Sequence, residues 1–238
     1  NHVIGSRRGA SSHQYNPAVI VARQGTTEDM GSCYGMMFVY SGNFMCEAEQ
    51  DQFGQTRVMM GLQSDLFHYP LEQGEKLVVP ETVLCYSDEG YGKLSRQYHR
   101  CIREHICRGT YSHKIRPVLL NSWEAMYFDL DGEKIYKLAK EAAALGIDMV
   151  VMDDGWFGKR EDDNSGLGDW QVNEEKLGCS LGELIEKINH LGVRFGIWIE
   201  PEMVSEDSRL YREHPDWVMK VPGRKPVYAR NQLVLDFS

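Results

Sequence analysis

The chain has 238 residues, enough for one large or two ordinary domains at about 150 residues each. Its 42% hydrophobic and 26% charged residues exclude a disordered polypeptide, and no stretch approaches the ~20 apolar residues of a membrane span, so no membrane partner is expected. The net charge of −9 excludes nucleic-acid binding through a phosphate-neutralising basic stripe and leaves neutral polar ligands open.

Cys33, Cys46, Cys85, Cys101, Cys107 and Cys179 are scattered, with no CxxC pair and no Cys/His zinc spacing. Free thiols, no structural metal and a reducing cytoplasm are therefore expected. The opening Asn1-His2-Val3 carries neither an initiator Met nor a signal-type apolar segment, which reads as a start that has been removed.

Up to residue 87 short apolar runs at 18–22, 34–40 and 77–86 are divided by Gly, Asn and Asp turn signals, the rhythm of an antiparallel sheet region. From 91 to 106 the period changes. Leu94, Tyr98, Cys101, Ile102 and His105 or Ile106 recur every three or four residues, which predicts an amphipathic helix inside a connector over 88–116.

After Pro117 strands alternate with helices. A strand at 118–121 leads to a helix at 132–145 with Asp131 as N-cap and Gly146 past its end. A strand at 147–152 leads to a helix at 181–191. This helix opens on the capping box Ser180 with Glu183, carries Leu181, Leu184, Ile185 and Ile188 on one stripe, and stops at Gly192. A strand at 193–199 leads to a helix around 207–213 ended by Pro215, and 233–235 begins a fourth strand.

Such alternation implies a parallel sheet, either doubly wound or closed as a (β/α)8 TIM barrel. No GxGxxG or Walker loop follows any strand, so a nucleotide cofactor is not expected. Instead the strands end in side chains that can hold a ligand: Asn121, Trp123 and Glu124; Asp153, Asp154 and Trp156; Trp198, Glu200 and Glu202; Asp236. Strand C-termini carry the sites of barrel enzymes, which favours the barrel. The region 117–238 is about half of the ~250 residues a whole barrel takes, and four strands would leave a hydrophobic edge open. The sequence therefore reads as a fragment, or as a chain that a partner completes.

Asp153 and Asp154 follow an apolar strand and precede Gly155. Neighbouring strand residues point to opposite faces, so both carboxylates reach one ligand only if the strand has already turned. Keeping both ionised calls for donors such as an Arg or several hydroxyls, and a sugar supplies the latter. The competing reading makes one Asp a loop cap and the other merely solvated. Trp123, Trp156, Trp170 and Trp198 lie at or just after strand ends, where an indole face offers apolar surface to the C–H side of a pyranose. Any one of them alone is more readily a core residue. Glu200 and Glu202 bracket Pro201 and suit a general acid or nucleophile, since glycoside hydrolysis uses two carboxylates about 5–10 Å apart. The competing reading makes them partners in buried ion pairs with basic neighbours on the same face. Arg230 either donates to a ligand hydroxyl or is solvated, and the acidic run Glu161-Asp162-Asp163 reads as a solvated loop. No His or further Asp stands at ligand spacing beside the pair, so no metal is expected.

The segments Asn121-Ser-Trp-Glu-Ala125, Met152-Asp-Asp-Gly-Trp-Phe157, Gly168-Asp-Trp170, Trp198-Ile-Glu-Pro-Glu-Met-Val204 and Arg230-Asn-Gln-Leu-Val-Leu-Asp236 resemble successive strand-end motifs of the glycoside hydrolase family 36 α-galactosidases. Ser11-Ser-His-Gln-Tyr-Asn-Pro17, Tyr40-Ser-Gly-Asn-Phe44 and Arg116-Pro117 are similar to that family's N-terminal β-sandwich and its junction with the barrel. The resemblance implies the C-terminal part of a β-sandwich over 1–87 and the first half of a (β/α)8 barrel over 117–238. It implies that Asp153 and Asp154 bind the galactose 4- and 6-hydroxyls, that Trp198 supports the sugar, that Arg230 lines the pocket and that Trp123 shapes its wall. It also implies a tetrameric parent in which His13 and its neighbours up to Asn16 reach toward another subunit's pocket. The family's nucleophile lies in a Lys-Trp-Asp motif on a later strand, and its acid/base aspartate lies further on. Neither motif occurs here, so no catalytic residue is expected within this chain and the isolated chain is expected to be inactive. Two alternatives remain: a non-catalytic sugar-binding or assembly subunit, and a transgalactosylating relative that builds raffinose-type sugars.

Overall fold

The computed structural model describes the chain except residues 66, 227, 229 and 238, and it divides between Lys114 and Ile115 into two units. The first unit holds β1 (His2–Gly5), β2 (Ala18–Ala22), β3 (Cys33–Phe38), β4 (Phe44–Gln50), β5 (Thr56–Leu62) and β6 (Thr82–Ser87), followed by α1 (Gly90–Cys101). The strands form two three-stranded antiparallel sheets, β1-β4-β5 and β2-β3-β6. The expected strand at 77–86 begins only at Thr82. Pro80 has no N–H to give a ladder and restrains Val79 before it, and Val78 stands 90% exposed.

Helix α1 follows its predicted stripe. Leu94 is buried, and the Tyr98 hydroxyl donates to the Val83 carbonyl at 3.3 Å. Its ring crosses β3 where Gly35 has no side chain, since a Cβ there would stand 2.5 Å from the Tyr98 oxygen. Past Cys101 the helix continues to Ile106 as a π-helical turn.

The second unit contains β7 (Leu119–Asn121), α2 (Trp123–Met126), α3 (Gly132–Ala144), β8 (Met149–Met152), α4 (Glu174–Leu177), α5 (Leu181–Asn189), β9 (Arg194–Ile197), β10 (Met203–Val204), α6 (Arg209–Glu213) and β11 (Leu233–Val234). β7, β8 and β9 form a parallel sheet in chain order, with Asn121, Val151 and Gly196 level across it. Local signals set the helix starts. Asp131 accepts the Lys134 N–H at 2.8 Å to open α3, and both halves of the Ser180–Glu183 capping box form at α5. One face of β8 carries Val150 and Met152, both fully buried in a core with Ile135, Ala139, Leu184 and Ile188. Burying a side chain of this size contributes roughly 1.5–3 kcal/mol. The opposite face carries Leu119, Met149, Val151 and Asn121, and Leu119 is 51% exposed.

The expected fourth strand at 233–235 is not part of this sheet. β11 pairs antiparallel with β10, Val204 opposite Leu233 and Met203 opposite Val234. The apolar run is explained by a satellite cluster in which Leu233 and Leu235 pack with Val204 and Val218. A run of three apolar residues fits a local ribbon as well as a buried parallel strand. The third helix is also shorter than expected. It starts at Arg209 because Ser208, rather than Asp207, accepts the Tyr211 N–H as its cap. Among the described residues no helix is long and apolar enough to cross a membrane.

Candidate functional site

The register of the parallel sheet assembles the site. Asn121 is level with Val151 and Gly196 on the face away from α3 and α5, and side chains two residues apart share a face. Asp153 and Trp198 therefore continue the rows begun by Val151 and Gly196. Gly196 leaves room for the neighbouring row, because a Cβ there would lie 2.9 Å from Val151 Cγ2. Beyond Met152 the chain turns, and Gly155 adopts φ +104°, a conformation open to glycine and costly for other residues.

The turn fixes both carboxylates. Asp153 receives Asn121 Nδ2 on Oδ2 at 2.5 Å and the Asp154 N–H on Oδ1 at 2.7 Å. Its own N–H donates to Ser122 Oγ at 3.0 Å. Asp154 is bound by Arg160, whose Nε donates to Oδ1 at 3.0 Å and Oδ2 at 3.2 Å and whose Nη2 donates to Oδ2 at 2.8 Å. Asp153 and Asp154 are 8% and 5% exposed, and Arg160 only 1%. Arg160 also donates through Nη1 to the Ser165 carbonyl at 2.9 Å and sits 5.5 Å from the Phe128 ring centroid. It supplies the compensating charge that adjacent buried carboxylates require. In sequence Arg160 is only a basic residue beside an acidic run, a pattern typical of solvated loops.

A cavity of about 370 Å³ opens at these strand ends, lined by Asn121, Trp123, Glu124, Asp153, Asp154, Trp198 and Arg230. Five of these are the residues expected to face a sugar. A wider groove of about 980 Å³ lies in the first unit between Tyr40, Phe67 and Tyr69, but it gathers no comparable pair of buried carboxylates. Trp123 is held edge-on against Tyr127 and Phe128, and its N–H donates to Asn121 Oδ1 at 2.7 Å. Arg230 and Asn231 occupy the left-handed region at φ 53° and 61°. Strained backbone of this kind clusters at ligand sites, and Asn231 is fastened by donating through Nδ2 to Asn164 Oδ1 at 3.0 Å.

The other expected residues fall elsewhere. Trp156 is 5% exposed and belongs to the core, where its ring meets Phe157 and Trp170, and its Nε1–H donates to the Trp198 carbonyl at 2.9 Å. Trp170 packs on Phe157 with ring centroids 4.4 Å apart. Neither lines the cavity; they form the layer against which Trp198 rests, Trp170 to Trp198 being 6.2 Å between centroids. Glu200 and Glu202 also stand outside the lining, and among the described residues neither forms an ion pair with a basic group. Burial pushes the Glu200 carboxyl above its ordinary value, Glu202 and Asp154 add to the rise, and Arg230 and Arg160 oppose it. Asp236 follows the β10–β11 ribbon and donates its N–H to the Trp217 carbonyl at 2.8 Å. His13 is exposed on a turn between Ser12 and Tyr15 in the first unit. All six cysteines are free, and no cluster of three or more potential metal ligands occurs among the described residues.

Parallel βα units here present paired carboxylates, tryptophans and an arginine around one strand-end cavity, the place where parallel α/β sheets hold their ligands. The chain belongs to the melibiase family, which it matches over residues 77–238, and residues 1–72 match the glycosyl hydrolase family 36 N-terminal domain. It is 69% identical over 235 residues to the bifunctional α-galactosidase/sucrose kinase AgaSK of Mediterraneibacter gnavus, covering 99% of this chain and 25% of that protein. It is 51% identical over 233 residues to the α-galactosidase AgaA of Geobacillus stearothermophilus, covering 98% and 32%. The solved galactosidase domain of AgaSK superposes with a TM-score of 0.92 at 68% identity, over 99% of this chain and 33% of that one. AgaA in complex with raffinose superposes with a TM-score of 0.92 at 50% identity, over 99% and 33%. The chain thus spans a quarter to a third of the length of these relatives.

Proposed function

We propose that the chain is the galactose-recognising part of a retaining α-galactosidase that removes terminal α-galactosyl residues from oligosaccharides of the melibiose and raffinose type. The observation that carries this reading is the strand-end cavity in which Asp153, Asp154, Trp198, Arg230 and Trp123 converge. The two carboxylates are hydrogen-bond acceptors and suit a pair of nearby hydroxyl donors such as the galactose 4- and 6-hydroxyls. Trp198 offers its ring to the sugar's C–H face, Arg230 donates at the rim and Trp123 forms a wall. Structures of the relative AgaA hold raffinose and stachyose, which supports an oligosaccharide substrate.

The first unit is read as the C-terminal part of a β-sandwich, and the second as the first half of a (β/α)8 barrel, with a helical connector at 88–116. The chain-order sheet β7-β8-β9, with helices on one face and the site residues on the other, supports the barrel. Cytoplasmic placement agrees with six free cysteines, and a homo-tetrameric parent follows from the family resemblance.

Asp153 and Asp154 are binding groups in this reading. Retaining hydrolysis needs a nucleophile and an acid/base about 5 Å apart that act on the anomeric carbon and on the leaving oxygen. Adjacent residues on one turn, one of them locked by Arg160, are poorly placed for both tasks. The 238-residue chain is therefore expected to bind galactose without hydrolysing a nitrophenyl α-galactoside, and Asp154→Asn should abolish the binding. Turnover by the pure chain that disappears in Asp154→Asn would defeat this assignment and promote Glu200 or Glu202.

A further inference from the structure

Arg160 does not line the cavity, yet its guanidinium is the largest polar group buried in the second unit. Three of its contacts go to one carboxylate: Nε to both Asp154 oxygens at 3.0 and 3.2 Å, and Nη2 to Oδ2 at 2.8 Å. The planar fork of an arginine matches the plane of a carboxylate, so such a pair fixes orientation as well as charge. The clamp is itself anchored. Nη1 donates to the Ser165 carbonyl at 2.9 Å, the Arg160 N–H donates to the Phe157 carbonyl at 3.2 Å, and Lys176 Nζ donates to the Arg160 carbonyl at 3.2 Å. Phe128 stacks beneath the guanidinium at 5.5 Å.

Stability alone is a weak reason for this arrangement, because a buried ion pair can usually be replaced by apolar groups of similar volume at little cost. The location is informative instead. Asp154 lines the cavity, and a carboxylate offers about four lone-pair sites in all. With one edge of the group taken by Arg160, only the other edge is open to a ligand.

We infer that Arg160 is a positioning residue that locks the Asp154 carboxylate edge-on to the cavity, so that it discriminates for a sugar hydroxyl at one fixed place. The inference rests on the galactose-binding reading given above. It assigns to Arg160 the selection of a hydroxyl rather than contact with the sugar. Asp153, held by Asn121 and by the Asp154 N–H, has its own separate support. The two carboxylates thus read their hydroxyls independently, and the site pays no ordering cost when the ligand arrives.

The test is a comparison of kcat/KM for nitrophenyl α-galactoside and its 4-deoxy and 6-deoxy analogues, on the full-length parent enzyme and its Arg160→Lys variant. In the unaltered enzyme each missing hydroxyl should lower kcat/KM by about 10- to 100-fold, the range for a hydrogen bond to a charged group. In Arg160→Lys, which keeps the charge and loses the fork, the penalty for one of the two deoxy analogues should shrink to within about threefold of none, while the other penalty persists. Addition of Arg160→Lys to Asp154→Asn should then cost little more. A folded Arg160→Lys enzyme that is slower on all three substrates with both penalties intact overturns the inference and leaves Arg160 a purely structural residue. Should that variant fail to fold, Lys176→Met decides, since it loosens the anchor of the Arg160 carbonyl and otherwise gives up an ion pair with the exposed Glu161. A partial loss of the same single penalty supports the inference, and two unchanged penalties overturn it. An unaltered enzyme that shows no preference for galactosides defeats the functional reading, a separate outcome.

Discussion

Asn121 donates through Nδ2 to Asp153 Oδ2 at 2.5 Å, joining the ends of two adjacent parallel strands. The pairing of Asn121 with Val151 makes the contact possible, because Asp153 lies two residues past Val151 on the same face. Asn121 thus aims a carboxylate in the same way as Arg160 does, but with a neutral donor.

Replacing Asn121 by Ala should therefore weaken galactose binding by about tenfold, corresponding to roughly 1.4 kcal/mol for one hydrogen bond to a charged acceptor. Stability should fall less, since Asn121 is exposed and only its bond to the Trp123 N–H is otherwise lost. Calorimetric titration with galactose, set beside a thermal melt, checks both effects. Unaltered affinity would mean that Asp153 needs no outside support.

Two tryptophans from neighbouring motifs should separate cleanly. Trp156 is buried in the core and donates to the Trp198 carbonyl, so Trp156→Ala should cost about 3–5 kcal/mol in urea unfolding. Trp198 is half-buried and faces the cavity, so Trp198→Ala should remove sugar binding with a smaller loss of stability. Retained galactose affinity in Trp198→Ala would contradict its role as the sugar's platform.

What the sequence revealed depended on how far apart the interacting residues lie. Asp131, Ser180 and Glu183 act within a single turn, and their capping bonds form as the local pattern predicts. The stripe of Leu184 and Ile188 is likewise a local periodicity that ends up buried. The pairing of Leu233 with Val204 depends on a ribbon closing across thirty residues of chain, and a three-residue apolar run carries no information about its partner. Arg160 is the clearest omission. It stands beside Glu161, Asp162 and Asp163, where a basic residue is ordinarily solvated. Only the fold of the loop, with glycines at 155, 158, 166 and 168 all at positive φ, turns it inward onto Asp154. Trp156 erred in the opposite sense, because a tryptophan at a strand end looks alike in sequence whether it faces a ligand or the core.

Gly155 is the position at which backbone conformation and binding are most directly linked. At φ +104°, with a Cβ placed 3.3 Å from Phe128 Cδ1, Gly155→Ala would be strained by about 1–3 kcal/mol. The strain falls on the turn that carries Asp154, so galactose affinity should drop together with the unfolding free energy. Gly146→Ala, at φ +75° with nothing within 4 Å of the added Cβ, is the control: it should lose stability while leaving affinity unaltered. Equal effects of both substitutions on affinity would show that the Gly155 turn has no special hold on the site.

Glu200 gives the fold a pH dependence with a definite sign. Burial raises its carboxyl above the ordinary 4.5, Glu202 and Asp154 raise it further, and Arg230 and Arg160 pull it down. The folded protein therefore holds this proton more tightly than the unfolded chain does. The stability this provides is complete below the ordinary carboxylate value and is lost as pH rises through the elevated one. Gln cannot ionise, so Glu200→Gln should be more stable than the parent at about pH 7, and the difference should close as pH is lowered to about 4. Thermal or urea unfolding of both proteins across that range gives the measurement. A constant difference at every pH would mean that ionisation of Glu200 is not what distinguishes them, and a variant less stable at neutral pH would show that the attraction of Arg230 and Arg160 outweighs burial.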